Sequence, residues 1–384
     1  MVVNENDYNT NTYVKTNKFI NSMLSDFSPL EDRMFQVMDN DGRVINPKYK
    51  PDIEPERLVK AYKDMLFARQ ADLMAVSYQR QGRMYTYPPN FGQEAISGGL
   101  AVVMREQDWL VPAFRELGAW LAKGATLKDV FLYFIGYEDG TVFPNAQNIL
   151  PISVPIASQL QHAAGIGYAI NYKKEDSVVY AIVGDGGTSE GDFSEAVNFA
   201  SVWKAPVVFI VQNNQYAISV PFKMQTRSVN IAVKSYAFGI PGIKVDGNDL
   251  LAMTSALQEA SAHARAGNGP VLIEAFTYRR GSHTTSDDPT KYRSKEEEEA
   301  MAATDPIDRL RKYLIGQKLY DDSSEGELIS QFKQEVERQF GEAENYHPYP
   351  LEDVFKYTYV DMPDELKQQK IEHEKFLKWK ESLK

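Results

Sequence analysis

The sequence predicts an α/β fold, a mostly parallel sheet with helices on both faces. Three continuous apolar runs rich in β-branched residues cover residues 177–183, 206–211 and 271–276. Stretches with helical spacing of apolar residues separate them, at 193–203 and 250–266. Strands that are buried on both faces read as continuous apolar runs, and an alternation of strands and helices places the strands parallel.

Further helical patterns precede the first predicted strand. Apolar residues recur at spacings of three and four after Pro55, and similar patterns cover residues 93–104, 126–135 and 158–172. A long segment of the chain is therefore helical before the sheet begins.

The 384 residues divide into three regions. Residues 1–50 are polar and carry turn signals, so they predict an N-terminal arm outside the core. Residues 51–345 carry the α/β pattern, and residues 346–384 predict a helical C-terminal interface tail. Within the tail, residues 348–361 are aromatic and β-prone. The aromatic residues of 346–360 favour burial against a partner, although a solvated tail is the alternative.

Composition excludes several classes of protein. The net charge is −11, from 42 basic and 53 acidic residues, which argues against nucleic acid as the main partner. The apolar runs are too short to span a bilayer, and the polar N-terminus lacks the pattern of a secretion signal. With no cysteine, the chain has no disulfide, thiolate zinc site or cysteine nucleophile. We expect a cytoplasmic enzyme that binds neither nucleic acid nor membrane.

Polar residues follow the first two predicted strands. Asp185 comes directly after one strand and Asn214 after the next. Ligands of parallel sheets bind at the carboxyl ends of the strands, so these side chains are expected to meet. A carboxylate and an amide oxygen, with a backbone carbonyl near Tyr216, can hold Mg²⁺ that keeps water and phosphate oxygens as its other ligands.

Glycines surround the aspartate. Gly184, Gly186 and Gly187 leave room for a phosphate to approach backbone amides, and the helix that begins near Phe193 adds its positive end. The dinucleotide-binding fingerprint would require glycine at Ser189. The glycines alone also fit an ordinary strand-to-helix turn. Together with the asparagines after the next strand, they favour a metal–diphosphate site.

The segment from Gly184 to Asn214 resembles the motif of thiamine-diphosphate enzymes. The wider sequence, over residues 35–315, resembles the alpha subunits of the bacterial pyruvate dehydrogenase decarboxylase component. The supporting segments are residues 80–83, 87–94, 109–115, 184–193, 204–206, 212–219, 239–248 and 281–294. The resemblance implies a thiamine-diphosphate-binding fold with thiamine diphosphate and Mg²⁺ as cofactors.

The resemblance also assigns site residues. It implies that Asp185, Asn214 and the Tyr216 carbonyl bind the metal. It implies that the cofactor is bound by Phe114, Arg115, Ile156, Gly184, Asp185, Gly186, Gly187, Asn214, Ile218 and His283. Within this set Phe114 and Arg115 contact the diphosphate, and Ile218 holds the cofactor in its bent shape. From the sequence alone, without the resemblance, Ile156 and Ile218 are interpreted as ordinary core residues.

One of the five histidines stands out. His283 lies in a polar loop after the third predicted strand, where a proton donor for neutral pH or a phosphate contact is plausible. It matches the family's catalytic histidine. Related subunits often carry further histidines where this chain has Leu117 and Asp139.

The resemblance implies an activity and partners. The activity is thiamine-diphosphate-dependent oxidative decarboxylation of pyruvate, with transfer of the acetyl group to lipoyl groups of the dihydrolipoyl acyltransferase core. A beta subunit would supply the glutamate that activates the cofactor, in an α2β2 assembly. Two alternatives stay open: the alpha subunit of a branched-chain 2-oxoacid or acetoin dehydrogenase, and a non-catalytic partner that retains the fold.

Overall fold

The computed structural model describes residues 22–383. The chain divides into two compact units, one ending at Ala343 and the other running from Glu344 to the C-terminus. The sheet and the candidate site both belong to the first unit. Across residues 22–383, no helix combines the length and the hydrophobicity needed to cross a bilayer.

Helices account for most of the regular structure. Numbered in chain order, they are α1 Met23–Asp26, α2 Pro55–Arg80, α3 Glu94–Val103, α4 Leu117–Ala122, α5 Leu127–Ile135, α6 Ser158–Lys173, α7 Gly191–Val202, α8 Phe222–Gln225, α9 Leu250–Arg265, α10 Lys295–Ala302, α11 Pro306–Gly316, α12 Glu325–Glu344, α13 Leu351–Lys356 and α14 Asp364–Glu381.

A five-stranded parallel sheet forms the centre of the first unit. Its strands lie in the order β1-β2-β3-β7-β6, and a separate two-stranded antiparallel pair is formed by β4 and β5. The strands are β1 Trp109–Val111, β2 Val179–Gly184, β3 Val207–Asn213, β4 Tyr216–Ala217, β5 Val220–Pro221, β6 Gly242–Asp246 and β7 Val271–Phe276. Gly184 pairs with Gln212 and Asn213 with Phe276, so the strand ends lie at one edge.

Helices cover both faces of the sheet, as predicted. Val179, Ala181 and Val183 on β2 pack in one hydrophobic cluster with residues of α6 and α7. Tyr180 points to the opposite face because side chains alternate along a strand. There its hydroxyl lies 2.8 Å from Oγ of Ser261 on α9.

The five-stranded sheet contains two strands, β1 and β6, that the sequence did not predict. Strand β1 has three residues, and β6 begins at Gly242 and contains the charged Lys244. Both lie at the edges of the sheet. Edge strands lack the continuous apolar run that double-sided burial produces, so the pattern used for the inner strands did not find them.

Part of the predicted N-terminal arm belongs to the core. Phe35, Val37 and Met38 are fully buried. The amide of Phe35 donates to the carbonyl of Lys244 at 2.8 Å, which extends the pairing of β6. The carboxylate of Asp249 accepts from the amides of Val37 and Met38, each at 2.7 Å. Residues 1–21 of the predicted arm lie outside the described residues.

The C-terminal unit is helical, as predicted, and it contains α13 and α14. An ion pair between Lys370 and Glu352 joins the two helices. The prediction of β structure over residues 348–361 is wrong, because residues 351–356 form α13. Pro350 stands directly before that helix, where its fixed φ suits a helix start and its missing N–H costs nothing.

Candidate active site

A cavity of about 260 Å³ opens at the carboxyl ends of β2 and β3. All eleven residues assigned to the site from the sequence line it: Phe114, Arg115, Ile156, Gly184, Asp185, Gly186, Gly187, Asn214, Tyr216, Ile218 and His283. The strand ends therefore meet as the parallel arrangement predicts. Of the five histidines, all within the described residues, His283 is the one that lines this cavity.

The turn after β2 requires glycine for steric reasons. A Cβ on Gly187 would lie 2.3 Å from Cγ2 of Val183, and one on Gly186 would lie 2.8 Å from Cβ of Ala217. Residues Asp185–Ser189 form a 3-10 turn. Lys234 stabilises it, since its Nζ donates to the carbonyl of Thr188 at 2.8 Å.

Asp185 is buried with an unsatisfied oxygen. The residue is 1% exposed, and its Oδ1 has no hydrogen-bond partner among the described residues. Burial raises the pKa of Asp185 to about 6. A buried carboxylate oxygen without a donor is costly unless a cation pairs with it. The oxygen therefore fits a metal ligand.

Asn214 and Tyr216 supply the other two predicted ligands. Nδ2 of Asn214 donates to Oε1 of Gln93 at 3.1 Å, and its Oδ1 accepts from the backbone amide of Tyr216 at 3.4 Å, which leaves a second lone pair on that oxygen. The carbonyl of Tyr216 accepts from Nη1 of Arg279 at 3.1 Å and has a second lone pair.

These donors fit Mg²⁺. A carboxylate, an amide oxygen and a carbonyl are hard oxygen ligands, and Mg²⁺ characteristically takes few protein ligands and keeps water and phosphate oxygens. Within residues 22–383, no group of three or more His, Asp or Glu side chains is arranged to hold a metal. The set here contains a single carboxylate.

Arg115 is a buried cation at the same cavity. Its Nη1 donates to the carbonyl of Pro89 at 2.6 Å, and its Nη2 contacts the carbonyl and Nδ1 of His283 at 2.5 and 3.0 Å. Its guanidinium lies 5.2 Å from the ring centroid of Phe114. Burial and the neighbouring Arg279 lower the pKa of Arg115 to about 9. The cavity thus holds the guanidinium groups of Arg115 and Arg279, which suit a phosphate, beside the carboxyl groups of Glu116, Asp185 and Glu190.

His283 is held neutral. Burial, followed by the charges of Arg115 and Arg279, lowers the pKa of His283 to about 4. Its backbone amide donates to Oδ2 of Asp287 at 2.7 Å, and the hydroxyl of Tyr292 donates to the same oxygen. These contacts fix the loop that carries the histidine.

Ile156 and Ile218 line the cavity and are not core residues. They are 46% and 57% exposed, so the alternative that both are buried in the core is wrong. Ile218 has a φ of 58°, which is an outlier for a β-branched residue. Gln215 and Ala157, which flank the same cavity, also have positive φ values. Strain of this kind costs about 1–3 kcal/mol per residue and clusters at functional sites.

The sequence did not single out several residues of the cavity. Gln93 and Arg279 contact the predicted metal ligands as described above. Glu116 is fully buried, where its Oε1 accepts from Nε2 of Gln212 at 2.6 Å. Burial raises the pKa of Glu116 to about 7. Glu116 directly follows the segment 109–115, and Arg279 lies two residues before the segment 281–294. No local pattern indicates that either side chain turns toward the cavity.

Comparison with known proteins identifies the family. The family model described as "Dehydrogenase E1 component" matches residues 62–352, which is more than half of the chain. The chain belongs to the dehydrogenase E1 component family.

Relatives of similar length are found in several bacteria. Three are named pyruvate dehydrogenase E1 component subunit alpha. The one from Acholeplasma laidlawii is 46% identical over 341 residues, covering 88% of this chain and 99% of that protein. The one from Mycoplasma genitalium is 41% identical, covering 90% and 96%. The one from Staphylococcus aureus is 38% identical, covering 92% and 94%.

These comparisons confirm the resemblance predicted from the sequence. They support an oxidoreductase of the pyruvate dehydrogenase type, and the family implies thiamine diphosphate as cofactor. Of the alternatives that the sequence left open for the 2-oxoacid, pyruvate is the one named in these relatives.

Proposed function

We propose that this chain is the subunit of a pyruvate-decarboxylating enzyme that binds the diphosphate and Mg²⁺ of its thiamine diphosphate. One observation carries the proposal. Residues from five separate segments of the sequence, around positions 115, 156, 185, 216 and 283, line a single cavity with the charge and the donors that a metal–diphosphate group needs.

Asp185, Asn214 and the carbonyl of Tyr216 hold the metal in this proposal. The unsatisfied Oδ1 of Asp185 and the oriented amide of Asn214 support it. A divalent cation would lower the raised pKa of Asp185, since an opposite charge favours the carboxylate form.

Arg115 binds the diphosphate in this proposal. A guanidinium offers fixed, paired N–H donors that match phosphate oxygens. The backbone of Gly184, Gly186 and Gly187 lies beside it, and the first turn of α7 begins at Gly191. The positive end of a helix favours an anion at that place. Phe114 packs near the guanidinium and shields the site from water.

The exposed apolar side chains hold the rest of the cofactor. Ile156 and Ile218 lie at the cavity with large exposed fractions, as expected of residues that are covered by a bulky ring only when the cofactor is bound. When bound, thiamine diphosphate supplies the electron sink for decarboxylation, while the protein positions it. His283, neutral and with its proton at Nε2, is positioned to donate a hydrogen bond to a group at the cavity.

A beta subunit completes the site in this proposal and supplies the activating glutamate, in an α2β2 assembly. Apolar side chains around the cavity are strongly exposed in the isolated chain: Val154, Ile156, Ile218, Val220 and Met224. Exposed apolar patches of this kind mark interaction surfaces. The remaining partners are pyruvate and the lipoyl groups of the dihydrolipoyl acyltransferase core, and the enzyme acts in the cytoplasm.

The proposal is tested with the full-length chain and its beta chain. Pyruvate decarboxylation that requires both chains, Mg²⁺ and thiamine diphosphate is expected, and Asp185→Ala is expected to abolish holoenzyme formation. Turnover of pyruvate, a branched-chain 2-oxoacid and acetoin is compared in the same assay. Holoenzyme formation by Asp185→Ala would contradict the metal assignment, and faster turnover of another substrate would contradict pyruvate.

A further inference from the structure

Gln93 carries a buried hydrogen-bond donor that has no partner. The residue is 2% exposed and lines the cavity. Its Nε2 has no hydrogen-bond partner among the described residues, whereas its Oε1 accepts from Nδ2 of Asn214 at 3.1 Å. A buried N–H without an acceptor costs about 1–3 kcal/mol, so an acceptor is expected there in the working protein.

The contact with Asn214 has a defined chemical consequence. An amide side chain presents its oxygen to a metal only if its NH₂ group faces away from it. Oε1 of Gln93 accepts from that NH₂ group and so fixes the orientation of the Asn214 amide. Partners of this kind orient metal ligands and contribute to metal affinity.

The place of Gln93 in the fold supports its rigidity. It directly precedes α3, a helix of ten residues, and its backbone amide donates to the carbonyl of Asn90 at 3.2 Å. The neighbouring Glu94 is 6% exposed and pairs with Arg69, whose Nη2 donates to it at 2.7 Å. The backbone on both sides of Gln93 is thus held.

We infer that Gln93 is a positioning residue with two roles at this site: its Oε1 orients Asn214 toward the metal, and its Nε2 donates to an oxygen of the diphosphate or of a metal-bound water. The inference rests on the proposed function, because it requires a metal–diphosphate group in the cavity. Gln93 lies in the segment 87–94 that supports the resemblance, but the resemblance assigned it no role at the site.

Two substitutions separate the roles. Gln93→Met keeps the length of the side chain but removes both the acceptor and the donor. Gln93→Glu keeps an oxygen that accepts from Asn214 but replaces the donor by a carboxylate oxygen, which repels phosphate. Gln36→Met is the matched control, because Nε2 of Gln36 also makes a part-buried contact, to Oδ2 of Asp246 at 2.7 Å, and Gln36 does not line the cavity.

The experiment uses the full-length chain with its beta chain and measures binding rather than turnover. Mn²⁺ is titrated at high thiamine diphosphate and followed by electron paramagnetic resonance, and thiamine diphosphate is titrated calorimetrically at saturating Mg²⁺. We expect Gln93→Met to weaken Mn²⁺ binding roughly 10- to 100-fold. We expect Gln93→Glu to bind Mn²⁺ more tightly than Gln93→Met but thiamine diphosphate more weakly than the wild type. Unfolding without metal and cofactor should change no more than in Gln36→Met.

The outcomes distinguish the two proposals. If the wild type binds both probes and Gln93→Met binds them equally well, the inference about Gln93 is overturned while the proposed function stands. The inference is also overturned if Gln93→Met loses binding only in proportion to a loss of stability in the unliganded protein. If the wild type with its beta chain binds neither probe, the proposed function is overturned, and the role of Gln93 with it.

Discussion

Nη2 of Arg115 lies 3.0 Å from Nδ1 of His283. A guanidinium has donors and no acceptor, so Nδ1 of the histidine must accept. The neutral imidazole then carries its proton on Nε2. The contact therefore fixes both the protonation state and the tautomer of the histidine, and it joins Arg115 to the loop that carries His283.

The neutral state of His283 predicts a pH dependence of stability. In the folded, unliganded protein its pKa is about 4, against an ordinary value near 6.5. Between about pH 6.5 and 4 the unfolded chain therefore binds a proton that the folded chain does not bind. The free energy of unfolding decreases as the pH falls through this range. We expect His283→Gln to lose less stability than the wild type between pH 7.5 and 5 in urea unfolding. Parallel pH profiles of the two proteins would contradict the neutral histidine.

Asp185→Asn is expected to separate stability from function. The pKa of Asp185 is raised to about 6, so the folded state is penalised when the carboxylate is ionised, and stability is lost as the pH rises from about 4 through 6. Above pH 7 the variant should gain about 1–3 kcal/mol in the free energy of unfolding without ligands. It should lose Mg²⁺-dependent binding of thiamine diphosphate. Denaturant unfolding measures the change in stability, and calorimetry measures the binding of thiamine diphosphate. A variant that is less stable than the wild type and still binds thiamine diphosphate would contradict both expectations.

Ile218→Gly is expected to stabilise the unliganded protein. The φ of 58° is strained for isoleucine and unstrained for glycine, and the side chain is 57% exposed, so the substitution removes little buried surface. A gain of about 1 kcal/mol in unfolding free energy follows. The bulky contact with the cofactor is lost at the same time, so kcat should fall. Ile156→Gly, at an exposed isoleucine of the same cavity, is the comparison: it should also lower activity but without the gain in stability.

Asp72 is expected to support the site from a distance. Its Oδ1 accepts from the Tyr87 hydroxyl at 2.9 Å and from the backbone amide of Asn90 at 2.7 Å. The segment between these residues carries the Pro89 carbonyl that binds Arg115.

Asp72→Ala should lower the free energy of unfolding by about 2–4 kcal/mol, because it leaves buried donors unpaired. It should also weaken binding of thiamine diphosphate. Asp72→Asn keeps an accepting oxygen, so it should cause a smaller loss of unfolding free energy and a smaller loss of cofactor affinity. Equilibrium unfolding and cofactor titration of the two variants provide the check. Equal effects of the two substitutions would show that the accepting oxygen is not what matters.

The sequence predicted the inner sheet and the proximity of Asp185 and Asn214 for identifiable physical reasons, whereas Phe114, Arg115, Ile156 and Ile218 were assigned by the family resemblance. Strands β2, β3 and β7 are buried on both faces and therefore read as continuous apolar runs, and functional residues collect at their carboxyl ends. The edge strands β1 and β6 are short or carry charge, so no such run marks them. The role of Gln93 could not be predicted from the sequence. Its partner Asn214 is 121 residues away, and a hydrogen bond across that separation leaves no local pattern.

The most direct test of the account titrates Mg²⁺ and thiamine diphosphate into the full-length chain, first alone and then with its beta chain, by calorimetry. The account predicts weak binding or none to the chain alone and tight, Mg²⁺-dependent binding when the beta chain is present, accompanied by decarboxylation of pyruvate. Absence of binding in both cases would show that the cavity at Asp185 and Asn214 is not a cofactor site. It would leave the chain as a non-catalytic partner that retains the fold.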